Sequence, residues 1–198
     1  VQVEMSKIGR AHQVNPKNYG KINVFNEYFG RGLSSIVFQE LRESKSLAYS
    51  AYVSYSNANL LNKHDYLVTY IGTQTNKLHL AVEAMDELMK DLPRVNAQFE
   101  NAKNSALKQI ASTRVTRTNI FFNYLNLNRL GIDYDVRKDI YEEIKNLTLD
   151  DLSDFYSREI KPVNFNVAII GKKENLDFSV LEKLGDFEEL TLEEIFGY

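Results

Sequence analysis

The residues best suited to bind a catalytic metal are the three histidines, His12, His64 and His79. A zinc site built on one helix needs two histidines on the same face, as in the His-Glu-x-x-His and His-x-x-Glu-His patterns. The three histidines are far apart in the sequence and form neither pattern. The chain also has no cysteine, which excludes thiolate metal ligands, disulfides and a cysteine nucleophile. We therefore predict that this chain binds no zinc by itself.

A short glycine-containing segment is the second place where the sequence suggests chemistry. Gly30, Arg31 and Gly32 precede Ser34 and Ser35, and backbone N–H groups at such a helix start can hold an anion. The segment lacks the Gly-Lys-Ser/Thr ending of a phosphate-binding loop. Neither serine belongs to a pattern that identifies a nucleophilic triad. We interpret the segment as a corner between two helices, with the serines as helix caps.

The composition is that of a globular protein, with 43% hydrophobic and 26% charged residues and a net charge of −3. No apolar run approaches the roughly 20 residues that a membrane-spanning helix needs, so we predict no membrane span. The most basic stretch contains Lys103, Lys108, Arg114 and Arg117. We interpret it as a solvated helix face, because a nucleic-acid footprint would need a broader positive stripe. Nucleic acid is therefore not an expected partner.

The ends of the chain say little about its location. No targeting signal is readable at the N-terminus, so that a bacterial cell envelope, a periplasm and a cytoplasm all stay open as compartments. The chain starts at Val1 without an initiator methionine. We take this as a hint that the chain is a fragment of a longer polypeptide.

Hydrophobic periodicity predicts the strands and helices that position the residues named above. Alternating apolar and polar residues predict strands from Val1 to Met5, from Tyr49 to Tyr55 and from Tyr66 to Ile71. The last two are close in sequence and predict an antiparallel pair. A dense apolar run from Phe165 to Ile170 predicts a central strand, and a final strand is predicted near Leu190 to Leu192.

Helical periodicity accounts for most of the remaining chain. The predicted helices begin, in order, near Pro16, Ser35, Thr75, Phe99, Ile120, Val136, Thr148 and Val180. This order of elements predicts an α+β fold in which a largely antiparallel sheet has helices packed on one face. No internal repeat or linker divides the sequence, so residues 1–198 are predicted to form a single domain.

The segment from Asn26 to Tyr49 carries the most specific pattern. It contains an asparagine and a glycine corner, then the triplet Leu41-Arg42-Glu43, then Leu47-Ala48-Tyr49 leading into a strand. This block resembles the C-terminal-half signature of the pitrilysin/insulinase family of zinc metallopeptidases, which includes mitochondrial processing peptidases and insulin-degrading enzymes. The helix start at Leu147–Leu152 and the run Val167–Gly171 follow in the expected order, so the resemblance covers nearly the whole chain.

The resemblance implies the fold of a processing-peptidase or LuxS-like metallohydrolase half, and it implies roles for two residues. In the family, an arginine and a tyrosine seven residues apart reach across a closed chamber toward peptide bound at the zinc of the other half. The matching residues here are Arg42 and Tyr49. Peptide hydrolysis builds negative charge on the carbonyl oxygen, and one preorganised donor to that oxygen is typically worth about 2.7–4 kcal/mol. From spacing alone, Arg42 is an exposed helix charge and Tyr49 merely begins a strand.

The resemblance places the zinc in a part of the parent enzyme that is absent here. The family's zinc ligands and general-base glutamate belong to a His-x-x-Glu-His helix in the N-terminal half, and no segment of this chain matches it. The implied role is therefore that of a C-terminal, zinc-free domain, which contributes substrate binding and oxyanion stabilisation to the zinc site of an N-terminal half on the same chain or on a separate subunit. The implied parent is a zinc endopeptidase that admits short or unfolded peptides.

Two alternatives belong to other functional classes. One is a non-catalytic pairing or scaffold subunit of the same fold, like the core subunits of respiratory complexes. The other is an unrelated α+β binding domain. Retention of both Arg42 and Tyr49 argues against the scaffold, and a His-x-x-Glu-His helix encoded upstream in the same reading frame would favour the protease.

We expect the isolated chain to contain no stoichiometric zinc and to hydrolyse no peptide, because it lacks the ligand pattern of a zinc site. Metal analysis of the purified chain checks this, with the zinc-containing parent polypeptide as the positive control. One equivalent of tightly held zinc in the isolated chain would contradict the assignment of the metal to the other half.

Overall fold

The structure, a computed structural model, describes residues 2–197, with the side chain of residue 180 excepted. The strands are β1 (Gln2–Gln13), β2 (Ser50–Ser56), β3 (His64–Gln74) and β4 (Phe165–Gly171). They form one antiparallel sheet in the order β2-β3-β1-β4. The predicted antiparallel pairing of β2 with β3 is confirmed.

Helices occupy most of the sequence between and after the strands. In chain order they are α1 (Tyr19–Phe25), α2 (Ile36–Phe38), α3 (Leu78–Leu88), α4 (Asn96–Ser112), α5 (Arg117–Arg129), α6 (Arg137–Asn146), α7 (Leu149–Phe155), α8 (Phe178–Leu181) and α9 (Leu192–Phe196). Turns of π-helix continue α1 to Gly30, α2 to Ser44 and α7 to Ile160. Each predicted helix is therefore present, and Thr148, near which one of them is predicted to begin, forms a capping box with Asp151 at the start of α7.

One face of the sheet carries the core, and the helices cover that face. The fully buried strand side chains are Val3, Met5, Val53, Leu67 and Ile71. Ile22, Phe25 and Phe29, which the sequence predicts to face inward from the first helix, join the same hydrophobic cluster. Positions that alternate with the buried ones along β1 point to the opposite, more exposed face. The predicted α+β class, with helices packed on one side of an antiparallel sheet, is confirmed.

The first strand is longer than the sequence pattern indicates. It continues past Met5 to Gln13, and β3 pairs with most of that length. The inward positions beyond Met5 are Lys7, Gly9 and Ala11, which are weakly apolar or charged, so the alternation of hydrophobicity fades while the strand continues. Val1, where the predicted strand begins, lies outside the described residues.

Two strand predictions are wrong. Phe165–Ile170 was expected to be central because it is densely apolar, but among the described strands β4 lies at the edge and pairs only with β1. Its residues alternate between half-buried and exposed, and Ile170 is 74% exposed, so the apolar run reflects strand propensity rather than burial on both faces. The strand expected near Leu190–Leu192 is instead the start of α9, because Thr191 forms a capping box with Glu194.

Asn26 and Gly30 fasten the end of the first helix to the edge of β2. The Asn26 side-chain amide donates to the Tyr55 carbonyl oxygen at 2.9 Å and accepts from the Tyr55 N–H at 2.8 Å, as a neighbouring strand would. Gly30 lies so close to Val53 that a Cβ atom would stand 1.9 Å from the Val53 carbonyl oxygen. We call this pair of contacts the Asn26–Gly30 clamp. It covers the edge of β2 and fixes the helix relative to the sheet.

We expect Asn26→Asp to lower the free energy of unfolding by about 2 kcal/mol at neutral pH, because a carboxylate cannot donate to the buried Tyr55 carbonyl. The loss should shrink as the pH falls toward about 4, where a protonated carboxyl can donate again. Urea unfolding measures both effects. Asn23→Asp, at an exposed position of α1, is the matched control and should change stability by no more than about 0.5 kcal/mol. Equal effects of the two substitutions would contradict the clamp.

Candidate functional site

Arg42 projects from the helical segment that follows the glycine corner. The Ser35 hydroxyl accepts from the Phe38 N–H at 3.4 Å and caps this segment, as predicted for Ser35. The neighbouring Leu41 is fully buried and anchors the segment in the core. The Arg42 side chain is 47% exposed, with its guanidinium carbon 4.9 Å from the centre of the Phe38 ring and its Nε 3.7 Å from a Glu43 carboxylate oxygen. The guanidinium thus rests on an aromatic ring at the surface.

A tight turn joins this segment to β2. Leu47 and Ala48 donate their N–H groups to the Leu41 carbonyl at 2.8 and 3.3 Å, which folds the chain back on the helix end. Ser46 has a φ of 50°, in the left-handed region that few residues other than glycine adopt. The Lys77 ammonium donates to the Ser46 carbonyl at 2.9 Å and holds the turn against the start of α3. Because both ends of the turn are hydrogen-bonded, the backbone positions on either side of it, those of Arg42 and Tyr49, are held at a fixed separation.

Tyr49 follows the turn and lies on the exposed face of the sheet. Its N–H donates to the Gly72 carbonyl at 2.9 Å, and its ring covers Gly72, where a Cβ atom would come within 2.7 Å of the ring carbon Cζ. Gly72 pairs with Glu4 of β1, and the Tyr49 hydroxyl donates to the Glu4 carboxylate over a long 3.5 Å. Tyr49 remains 40% exposed. The absent side chain of Gly72 therefore provides the space that the ring occupies.

Tyr70 completes a small polar cluster beside Tyr49. Tyr70 precedes Gly72 by two residues in β3, and its ring stacks on that of Tyr52 with the ring centres 5.1 Å apart. Burial, followed by the negative charge of Glu4 and the hydrogen bonds within the cluster, raises the pKa of Tyr70 to about 12. Tyr70 therefore stays protonated even near pH 10, where an ordinary tyrosine ionises.

Both residues that the resemblance implied, Arg42 and Tyr49, are on the surface, and neither is enclosed in the core. They lie on either side of the hydrogen-bonded turn. Sequence reasoning missed Glu4, Tyr70 and Gly72, which orient the Tyr49 ring. The alternation of β1 and β3 contains a signal for them, since positions two apart along a strand share a face, but only the pairing register shows which positions meet across the strands.

The described residues contain no group of three or more His, Cys, Asp or Glu side chains arranged to hold a metal ion. His12 and His64 lie close together on neighbouring strands, since Gln13 of β1 pairs with His64 of β3, but each contacts a different group. The His12 Nδ1 atom lies 2.8 Å from a Glu159 carboxylate oxygen, and the His64 Nδ1 atom lies 2.8 Å from the Ala11 carbonyl oxygen. His79 is exposed on α3. Among residues 2–197, no helix is both long and apolar enough to cross a bilayer.

Similarity to known proteins extends over most of the chain. A family model described as "Peptidase M16 inactive domain" matches residues 3–106. The "Uncharacterized zinc protease YmxG" of Bacillus subtilis is 27% identical over 157 residues, which are 77% of this chain and 37% of that protein. The "Non-peptidase homolog YmxG" of Helicobacter pylori is 22% identical over 161 residues, which are 79% of this chain and 36% of that protein. The chain thus spans little more than a third of the length of these relatives.

Solved structures show the same fold at low sequence identity. A peptidase M16 inactive domain from Pseudomonas fluorescens superposes with a TM-score of 0.67 at 13% identity, over 85% of this chain and 40% of that chain. An "Inactive Peptidase Domain" from Bordetella parapertussis also gives a TM-score of 0.67, at 10% identity, over 85% of this chain and 92% of that one. A domain of nearly this extent has therefore been crystallised without a second half.

We expect Gly72→Ala to destabilise the protein by about 1–3 kcal/mol, because its Cβ would collide with the Tyr49 ring. In a Tyr49→Ala background the same change should be neutral or stabilising, since alanine is better than glycine inside a strand by roughly 0.5–1 kcal/mol. A double-mutant cycle by urea unfolding measures this coupling. Additive effects would show that the ring does not cover Gly72.

Proposed function

The chain belongs to the family of peptidase M16 inactive domains, whose model matches residues 3–106 of its 198 residues, and from that membership we propose that it is the zinc-free half of a zinc metalloendopeptidase. In this role it closes one side of a chamber and presents hydrogen-bond donors to a peptide held at the zinc of a partner half. The observation that carries the proposal is that the side chains of Arg42 and Tyr49 both lie at the surface, on either side of one hydrogen-bonded turn.

The metal of such an enzyme would lie outside this chain. The described residues supply no ligand set for zinc, so the proposal assigns the metal to the partner half. The relatives are consistent with this division, since one is named a zinc protease and is more than twice as long as the matched segment. We propose that this chain contributes groups that act on the substrate itself.

The chemistry proposed for Arg42 and Tyr49 is stabilisation of the charge that develops on the scissile carbonyl oxygen. A guanidinium is always charged and offers several N–H donors, and its only described ion pair, with Glu43, is long at 3.7 Å. A phenol offers one O–H donor on a rigid ring. The Tyr49 hydroxyl has a weak partner in Glu4 at 3.5 Å, so little is lost when it turns to a substrate oxygen.

Preorganisation supports this role more than the identity of the two side chains does. Leu41, next to Arg42, is locked in the core, and the Tyr49 ring is seated on Gly72. Donors that are held in place before the reaction lose little entropy and need little reorganisation as charge develops. The left-handed Ser46 between them is a strained conformation of the kind that clusters at functional sites.

The proposed substrate is a peptide or an unfolded segment of protein. A chamber formed by two halves admits only chains that are thin enough to enter it, and an extended peptide presents its carbonyl groups along its length. The exposed sheet face beside Tyr49 is lined with polar and aromatic side chains, including Glu4 and the stacked pair Tyr52 and Tyr70.

One observation favours a second candidate function. The Helicobacter pylori relative is named a non-peptidase homolog, so members of this group exist that carry the domain without peptidase activity. In that case the chain would serve as a pairing or scaffold subunit. The parent polypeptide would then assemble normally and cleave no peptide, with or without Arg42 and Tyr49.

We expect Tyr49→Phe in the zinc-containing parent enzyme to lower kcat by roughly 10²–10³-fold while KM changes little, because one oxyanion donor is removed. Arg42→Ala should lower kcat in the same way. Steady-state kinetics with a fluorogenic peptide measures both, and zinc content should stay constant.

The matched control is Tyr66→Phe, which removes an exposed hydroxyl at the opposite end of β3, where Tyr66 pairs with Ser56 and not with the residues beside Tyr49. It should retain the kinetics of the unmodified enzyme. If Tyr49→Phe also left kcat unchanged, the transition-state role would be refuted. If the unmodified parent showed no turnover at all, the scaffold function would replace the protease.

A further inference from the structure

Helix α5 is exposed in a way that the other long helices are not. None of its residues is buried, whereas the preceding α4 buries Phe99, Ala102 and Ala106. Its large apolar side chains are between 37% and 59% exposed, and they are Ile120, Phe121, Phe122, Tyr124 and Leu125. Five large apolar side chains within six consecutive positions are far more than the scattered exposed apolar residues of an ordinary surface.

The apolar side chains of α5 point in several directions around the helix. Ile120, Phe121 and Phe122 are consecutive, and successive residues of an α-helix are rotated by about 100°. A helix that is apolar on several sides is normally buried on several sides. With 13 residues, α5 is also close to the lower limit of about 12–15 residues at which an isolated helix is stable in water. The sequence of α5 therefore suits a helix that lies against a second body.

The rest of the domain holds α5 mainly at its C-terminal end. Leu130, just past the helix, is buried, and the Leu61 side chain lies against Gly131. Between α5 and the following segment an open groove of about 450 Å³ remains, lined by apolar and aromatic residues such as Tyr124 and Leu127 and by polar residues such as Asp133 and Asp135. The helix thus stands away from its own domain instead of packing down on it. We call residues 113–130 the α5 arm.

We propose that the α5 arm docks onto the partner half of the parent polypeptide, which would cover its exposed aromatic side chains and fill the groove beneath it. This inference rests on the proposed function only for the existence of that half, and it requires neither Arg42 nor Tyr49 to be catalytic. The arm would be the part of this domain that secures the two halves to each other.

The extra length of the relatives favours a tethered partner over a second copy of the chain. A stable complex of separate chains buries about 800 Å² on each side. A covalently linked half is present at a high effective concentration and needs far less. The relatives, of which this chain spans 36–37%, have room for such a half.

The charge of the arm indicates what the partner surface is like. Residues 113–130 contain Arg114, Arg117 and Arg129 and no Asp or Glu, although the whole chain carries a net charge of −3. A complementary surface would have an apolar floor and an acidic rim. The acidic segment 186–194 of a second copy, in which Leu190 and Leu192 are exposed, is the competing occupant.

Hydrogen exchange of the α5 amides in the isolated chain and in the parent polypeptide tests the proposal. The isolated chain is a fair reference because its core forms one cluster from its own residues. We expect the α5 amides to exchange rapidly in the isolated chain and at least roughly 100-fold more slowly in the parent, as amides of a docked element do. Equally fast exchange in both would overturn the proposal. Protection in the isolated chain that rises with its concentration would overturn it in favour of a second copy.

Substitutions provide an independent readout. Phe121→Gln together with Phe122→Gln should speed α5 exchange in the parent and lower its melting temperature, while leaving the isolated chain as stable as before. Leu80→Gln, at an exposed apolar position of α3, is the control and should change neither. Equal destabilisation of the isolated chain would mean that the phenylalanines pack within their own domain, and would refute docking. If Tyr49→Phe left kcat unchanged while the α5 amides stayed protected in the parent, the proposed catalysis would be refuted and the docking would stand.

Discussion

The contact between Asn26 and the edge of β2 is the constraint on which the candidate site depends. Asn26 satisfies both backbone groups of Tyr55, and Gly30 lies directly on Val53, so the chain leaves the first helix from a fixed point on the sheet. It returns to the same strand just after Tyr49, where β2 begins at Ser50. The residues between these two points form a loop with both ends tied to one strand, which restricts the conformations available to Arg42.

Much of the fold follows from periodicity, and the exceptions have identifiable causes. The helices and the β2–β3 pair were predictable because their apolar residues recur at regular spacing. The position of β4 was not, because Phe165–Ile170 is apolar enough for a central strand while only strand order shows that it lies at an edge. The helix at Leu192 was missed although Thr191 and Glu194 fit the Thr-x-x-Glu capping-box pattern, because Leu190 and Leu192 alternate with Thr191 as the residues of a strand do.

The candidate site was predictable only in part, and through resemblance rather than spacing. Arg42 and Tyr49 were identified by the motif that contains them, and the structure places both at the surface. The surroundings of Tyr49 depend on Glu4 and Gly72, which are 45 and 23 residues away in the sequence and are joined to it only by strand pairing. A single sequence does not show that register, so local sequence patterns could not predict that these residues form a cluster.

The blocked edge of β2 also has a consequence for association. Because the Asn26–Gly30 clamp occupies this edge over Val53–Tyr55, β4 is the edge of the described sheet that is left open to a further strand. Sheets that grow into fibrils need two free edges, one to accept each new molecule and one to pass the template on. A molecule with one free edge can join only one other through its sheet. Misassembly of this domain by strand pairing would therefore terminate at a two-molecule sheet instead of propagating.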